Sequence, residues 1–186
     1  MTLSVPQPIN DQHQIGAFDS GVPVLDEWLK RRARANQAGG ASRTYVVCDT
    51  DRVVAYYALA SGAVEIATAT SRIRRNMPDP IPVAVLGRLA IERGYQGRGL
   101  GRALMKDALR RVSQAADIIG IRGIVVHAIS PDAKAFYLAL GLETSRIQPL
   151  TLMATVAPPA RAMAAIKASK PSIGLATRRR DNMISA

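Results

Sequence analysis

The chain has 186 residues, 48% of them hydrophobic and 4% aromatic, which suits one domain with an aliphatic core. Cys48 is the lone cysteine and His13 and His127 are far apart, so an internal disulfide, a cysteine-rich metal site and a zinc centre are excluded, and no metal is expected. Against 14 Asp and Glu stand 25 Lys and Arg, a net charge of +11 that acts on association with anionic partners; a nucleic-acid partner, an acidic protein partner and a basic surface kept for solubility all remain open.

No apolar run reaches the roughly 18 residues of a membrane span, and Met1 is not followed by a charged-then-apolar leader. The expectation is a soluble, cytoplasmic protein with no membrane role. Asp19 or Ser20 opens the first predicted helix, which covers residues 22–37 and stops at Gly39-Gly40. Leu25, Trp28, Leu29, Arg32 and Ala33 share one of its faces, with Lys30, Arg31 and Arg34 pointing elsewhere. Residues 43–49 and 53–65 read as a hairpin across the polar turn at 49–52. Residues 67–82, with three prolines and Arg72, Arg74 and Arg75, read as an irregular basic loop. A central strand over 82–91 is followed by a helix over 99–119, closed by Gly120. A β-branched strand over 121–128 leads to Ser130-Pro131, a capping hydroxyl before a proline at the first helical position, and to a helix over 132–140 stopped by Gly141. Residues 142–146 and 150–156 read as two last strands. From Ala157 the pattern changes to Pro-Pro, an alanine-rich stretch and Arg178-Arg179-Arg180. The expected organisation is therefore a domain over 1–156 and an appended basic tail over 157–186, helical or mobile.

The segment between the central strand and the long helix carries the chemistry. In Gln96-Gly97-Arg98-Gly99-Leu100-Gly101, alternate glycines let backbone approach a ligand closely. The helix that follows offers unpartnered first-turn amides and the positive end of its dipole, the physical elements of a phosphate cradle. Arg93, Arg98 and Arg102 add positive charge. No lysine follows Gly101 in the frame of a Walker loop, and the sixth position of a dinucleotide fingerprint is Arg102.

Read from Gln96, Gly99 and Gly101, the pattern Gln-x-x-Gly-x-Gly resembles the acyl-coenzyme A loop of the GNAT superfamily of N-acetyltransferases. Ala133-x-x-Phe136-Tyr137-x-x-x-Gly141 is similar to the last helix of the same core. The resemblance implies an α/β (α+β) fold whose mixed central sheet, flanked by helices, splays apart at the coenzyme A site. It implies acetyl-CoA as cosubstrate, with the backbone of Leu89, Ala90 and Ile91 pairing with the pantetheine arm. The loop and helix start at Gln96, Gly97, Arg98, Gly99, Leu100, Gly101, Arg102 and Ala103 would hold the pyrophosphate. Ser130, with Asp132, stands where many members carry an asparagine that touches pantetheine. Tyr137 maps onto the tyrosine that protonates the departing thiolate; on residues alone it reads equally as a half-buried helix aromatic.

A narrower resemblance covers much of the core. Phe18-Asp19-Ser20-Gly21, Leu25-Asp26-Glu27-Trp28-Leu29, Asn36-Gln37, Gly40-Ala41-Ser42-Arg43-Thr44, Tyr56-Tyr57-Ala58-Leu59, the run from Arg74 to Pro82 and Pro149-Leu150-Thr151-Leu152-Met153 are similar to the GNAT-type toxins of bacterial toxin–antitoxin pairs. That group acetylates the α-amino group of charged tRNA and stops translation. The resemblance implies a small DNA-binding antitoxin of the ribbon-helix-helix type and a homodimer. Arg74, Arg75 and Arg88 are then the expected tRNA contacts nearest the active site, with Lys30, Arg31 and Arg34 further along; each reads equally as a solvated surface charge. An aminoacyl ester amine lies below the α-amino reference of about 7.7–8.0, so a strong protein base is not required. Glu65 and Glu92 are the weak candidates for one, and His127 reads as structural. Two alternatives stand beside this: an acetyltransferase for a protein N-terminus, polyamine or antibiotic, and a protein that binds nucleic acid or coenzyme A without chemistry.

Overall fold

The hairpin expected across residues 49–52 forms the middle of a seven-stranded mixed sheet in the computed structural model, which describes residues 2–156. β2 (Arg43–Asp49) and β3 (Arg52–Val64) are antiparallel, β4 (Ile81–Ile91) runs antiparallel to β3, and β5 (Gly123–His127) runs parallel to β4. β1 (Gln7–Pro8) edges one side, and β7 (Thr151–Thr155) with β6 (Glu143–Thr144) closes the other, in the order β1-β2-β3-β4-β5-β7-β6.

Period-two alternation divides the side chains between two faces. On one face Val54, Tyr57, Leu86, Ile124 and Val126 pack under α4 (Leu100–Ala116) and α5 (Pro131–Ala139), with Leu104, Met105, Ala108 and Val112 at helical spacing on α4. On the other, Val46, Cys48, Tyr56 and Ala90 pack under α1 (Pro23–Arg31) and α2 (Ala33–Gly39), through Leu25, Leu29 and Ala33. Ile73 of the short α3 (Ser71–Arg74) covers Ile81, Val83, Val125 and Met153 at the far end of that second face. This is the α/β architecture expected from the sequence.

Several local expectations are corrected. The helix over 22–37 is two helices, because Arg32 leaves helical geometry at φ −121 and ψ −31; Arg32 is exposed and does not share the buried stripe. Neither Asp19 nor Ser20 caps α1. Val22 is its N-cap, Pro23 opens it, and Asp26 reaches back to accept hydrogen bonds from the Ser20 amide at 3.0 Å and hydroxyl at 2.6 Å. The basic loop contains α3, whose end is held by Arg122 donating to the carbonyls of Ile73 at 3.1 Å and Arg72 at 2.7 Å. β6 is shorter than residues 142–146 because the Ser145 hydroxyl turns to the Thr68 carbonyl at 2.6 Å. β1 was not anticipated; two residues are too few to show a period. The expected tail over 157–186 lies outside the described residues. Among the described residues no helix is long and apolar enough to cross a membrane, and no group of His, Cys, Asp and Glu is arranged to hold a metal ion.

α4 is fastened to the sheet by charge as well as packing. Asp107 accepts from the Tyr57 hydroxyl, from Arg111 Nε at 2.8 Å and from Arg110 Nη2 at 2.7 Å. Burial pushes the Asp107 carboxyl up, but these donors outweigh it and hold it below its ordinary value. The Tyr57 phenol is raised well above its ordinary range by burial and by its bond to Asp107, and Tyr56 is raised by burial. Folded values above unfolded ones mean that this stability is fully present below about pH 10 and is lost as pH rises through the folded range. Unfolding midpoints should therefore stay flat across neutral pH and fall above about pH 10, in step with phenolate absorbance. An alkaline fall that persists unchanged in a Tyr57→Phe variant would separate it from this tie.

Candidate active site

The site begins where β4 and β5 part. They pair at Ala84 with Ile124, Val85 with Val125 and Leu86 with Val126. β4 then continues to Ile91 against β3 alone, while β5 ends at His127 beside β7. The Glu92 amide donates to Val54 at 2.8 Å, so by antiparallel alternation Ala90 and Arg88 also face β3. Leu89 and Ile91 therefore turn their backbone N–H and C=O groups toward the gap. This fits an extended amide-bearing ligand that pairs as a strand would, and it gives Leu89 and Ile91, not Ala90, the expected role.

The three glycines of the loop serve two purposes. Gly97 at φ 72 and Gly99 at φ 82 take left-handed conformations, with open space where a Cβ would stand. Gly101 instead admits its neighbours: an added Cβ would meet Phe136 Cζ at 3.1 Å and Ile91 Cδ1 at 3.4 Å. Gly99 caps α4 without a side-chain bond, and no acidic residue occupies the first turn. The amides of Leu100, Gly101 and Arg102 are thus the helix-start donors for an anion. Ala103 is corrected out of that set, since its amide donates to the Gly99 carbonyl at 3.1 Å. Gln96 lines the larger cavity and also acts as a strut: its Nε2 donates to the carbonyls of Ser20 at 2.8 Å and Ile91 at 2.9 Å. Arg98 lies over the Tyr95 ring at 5.3 Å.

Two connected cavities fill the gap. The larger, about 440 Å³, lies between the end of β4, Gly101 and Phe136. The smaller, about 150 Å³, is lined by Gly87, Arg88, His127 and Tyr137, and the two share Leu25, Leu89, Ile129, Ala133 and Phe136. Tyr137 belongs to the core under α4 and α5. Arg88 lies on the other face, 5.2 Å over the Trp28 ring, which stacks in turn on Tyr56. The gap is therefore an aperture through the sheet. Tyr137 is 7% exposed, and burial pushes its phenol up to about 12, so it stays protonated at neutral pH. Ser130 caps α5, its hydroxyl accepting from the Ala133 amide at 3.1 Å; Ile129 and Ala133 line the cleft in its place.

The other expected residues are scattered. Glu92 is held by Arg52 Nη1 at 2.7 Å, and Glu65 lies exposed beyond the far end of β3, so neither is a base at the aperture. Arg88 reaches it. Arg74 and Arg75 do not: they adjoin the Ile81 end of β4, on the order of 20 Å away along the strand. Arg31 pairs with Glu27 at 2.6 Å, and Arg34 donates to the carbonyls of Asn10 at 3.2 Å and His13. Lys30 is exposed on α1. Sequence reasoning missed the Trp28–Arg88 stack, which joins residues far apart in the chain. Two substitutions test the cradle by calorimetry: Gly99→Ala, which strains the loop, and Gly101→Ala, which crowds Phe136, should each weaken acetyl-CoA binding about tenfold while the fold survives. Parent-like affinity in both would remove the loop from the site.

Residues 10–142 match the model of the acetyltransferase (GNAT) family. The chain is 52% identical to a tRNA-acetylating toxin of Mycobacterium tuberculosis (strain ATCC 25618 / H37Rv) over 150 residues, 81% of this chain and 90% of the relative. AtaT complexed with acetyl-methionyl-tRNAfMet superposes with a TM-score of 0.77 at 26% identity, over 89% of this chain and 99% of that one. A tyrosine-to-phenylalanine mutant of AtaT bound to the C-terminus of the antitoxin AtaR and acetyl-CoA superposes at 0.70 and 25% identity, over 89% and 98%. With its parted strands, glycine loop and matched core, this chain belongs to the acetyltransferase (GNAT) family.

Proposed function

We propose that this protein transfers acetyl from acetyl-CoA to the α-amino group of aminoacyl-tRNA and so blocks translation. One observation carries the reading: 52% identity to a tRNA-acetylating toxin over 150 residues, 81% of this chain. The charge of +11 suits the partner, because basic side chains that neutralise phosphates make binding strong at low salt and weak at high salt. Arg88 would meet the acceptor end at the aperture. Arg74, Arg75 and Lys30 would meet phosphates further along. The place of action is the cytoplasm, where charged tRNA is found. A ribbon-helix-helix antitoxin and a homodimer complete the proposal; the complex of AtaT with the C-terminus of AtaR supports an antitoxin partner.

The residues divide the reaction between them. Leu100, Gly101 and Arg102 amides hold the diphosphate, and the open backbone of Leu89 pairs with the pantetheine arm. Acetyl-CoA supplies the activated acyl group as a thioester. The Ile91 N–H, pointing into the gap, polarises the thioester carbonyl. Tyr137, kept neutral by burial, donates its proton to sulfur as the C–S bond breaks. The amine enters from the face that carries Arg88 and Trp28.

Incubation with labelled acetyl-CoA and total charged tRNA, followed by nuclease digestion and mass analysis, should yield N-acetylated aminoacyl-adenosine. Label found only on protein or free amines would overturn the reading. Tyr137→Phe should bind acetyl-CoA as the parent does and lose about 100-fold or more in turnover; near-parental turnover would remove Tyr137 from the mechanism. Arg88→Ala should raise KM for charged tRNA roughly tenfold and leave acetyl-CoA affinity unchanged, in keeping with loss of one charged contact.

A further inference from the structure

We infer that His127 is the general base of this reaction, its Nε2 taking the proton of the substrate ammonium on the face of the sheet opposite Tyr137. The inference rests on the acetyl transfer to an amine proposed above. Alternation along β5 sets the placement. Ile124 and Val126 belong to the core under α4, and Val125 packs with Ile73 and Met153 on the other side. His127, two residues after Val125, shares that second face and is exposed at the strand's end. It lines the 150 Å³ cavity with Arg88 and Tyr137, and Arg88 is the formally charged side chain in that lining.

The hydrogen bonds around the ring point to one tautomer. Thr151, the cross-strand partner of His127, places Oγ1 2.9 Å from Nδ1. The same hydroxyl donates to Gln148 Oε1 at 3.0 Å. A hydroxyl has one hydrogen, so with that hydrogen given to Gln148 Oε1, Thr151 accepts from His127 Nδ1–H in the arrangement we infer. A neutral imidazole carries one N–H. Nε2 is therefore left with a bare lone pair, and Thr151 is a positioning residue. The sequence alone suggests a structural histidine because it sits in an apolar strand; it is the last residue of β5, where β4 and β5 have separated.

The protons then balance. The bound ammonium gives one proton to Nε2, which makes an imidazolium and a neutral amine. The nitrogen attacks the acyl carbon, the C–N bond forms and the C–S bond breaks with its electron pair on sulfur. Tyr137 supplies the sulfur proton and regains one from the second N–H lost by the nitrogen, relayed by water. His127 releases its proton to solvent. Donor and acceptor stand on opposite faces, so neither neutralises the other before the transfer.

The test has two arms. NMR of isotope-labelled histidine in the ligand-free protein should show the His127 ring protonated on Nδ1 and bare on Nε2; a proton on Nε2 would overturn the assignment. In single-turnover acetylation of charged tRNA, His127→Ala should lose about 10- to 100-fold near pH 6.5 and less near pH 8.5, where the amine is already neutral, and added imidazole should restore rate. Thr151→Val should lose part of the rate and Thr151→Ser should recover it. Acetyl-CoA binding by calorimetry, unchanged in all variants, shows that they fold. A His127→Ala rate equal to the parent's near pH 6.5, or a defect constant with pH and deaf to imidazole, would overturn the role. A parent that binds acetyl-CoA yet acetylates no charged tRNA would instead overturn the functional reading on which the role rests.

Discussion

Parallel pairing between β4 and β5 ends at Leu86 and Val126, and the site follows from that separation. A strand edge left open inside a sheet exposes backbone groups that would each cost roughly 1–3 kcal/mol if buried without partners. At Leu89, and at the Ile91 N–H, these groups are instead offered to a ligand; the Ile91 carbonyl is taken by Gln96. Gln96 keeps the opening from closing on itself: one amide spans the Ile91 carbonyl and the Ser20 carbonyl, tying the loop to the end of β4 and to the segment before α1. Asp107, bound by Tyr57, Arg110 and Arg111, anchors α4 to the sheet. The amides at the start of α4 are thereby aimed at a fixed place.

The aperture also explains the distribution of polar chemistry. A buried phenol and unpartnered amides lie on the face covered by α4 and α5, while Arg88 and the His127 ring lie on the other. In the proposed reaction, two reactants entering from opposite faces would meet in the cavity lined by Leu86, Tyr137 and Arg88. The positive surplus then acts outside the chemistry, on capture of an anionic partner. Trp28 holds the Arg88 guanidinium over its own ring and itself rests on Tyr56, so this cation is oriented before any substrate arrives.

Much of this was legible in the chain. The strand–glycine loop–helix order, the Ser130-Pro131 helix start and the position of Tyr137 depend on local signals of a few residues, and these hold. What failed depended on contacts between distant segments. Arg32 belongs by periodicity to a buried stripe, yet the chain breaks there between α1 and α2. Ala103 lies within the glycine-loop pattern, but one intrahelical bond takes its amide. Arg74 and Arg75 are near the catalytic strand in sequence and at its wrong end in space. His127 gained meaning only from Thr151 and Gln148, which no spacing rule connects to it.

The central claim concerns which backbone groups receive the acyl donor, so residue-resolved amide hydrogen exchange with and without acetyl-CoA tests it most directly. The amides of Leu89, Ile91, Leu100, Gly101 and Arg102 should slow markedly on binding, while Ala103, already bonded to Gly99, should change little. Binding that protects other segments and leaves those five amides exchanging as before would contradict the account.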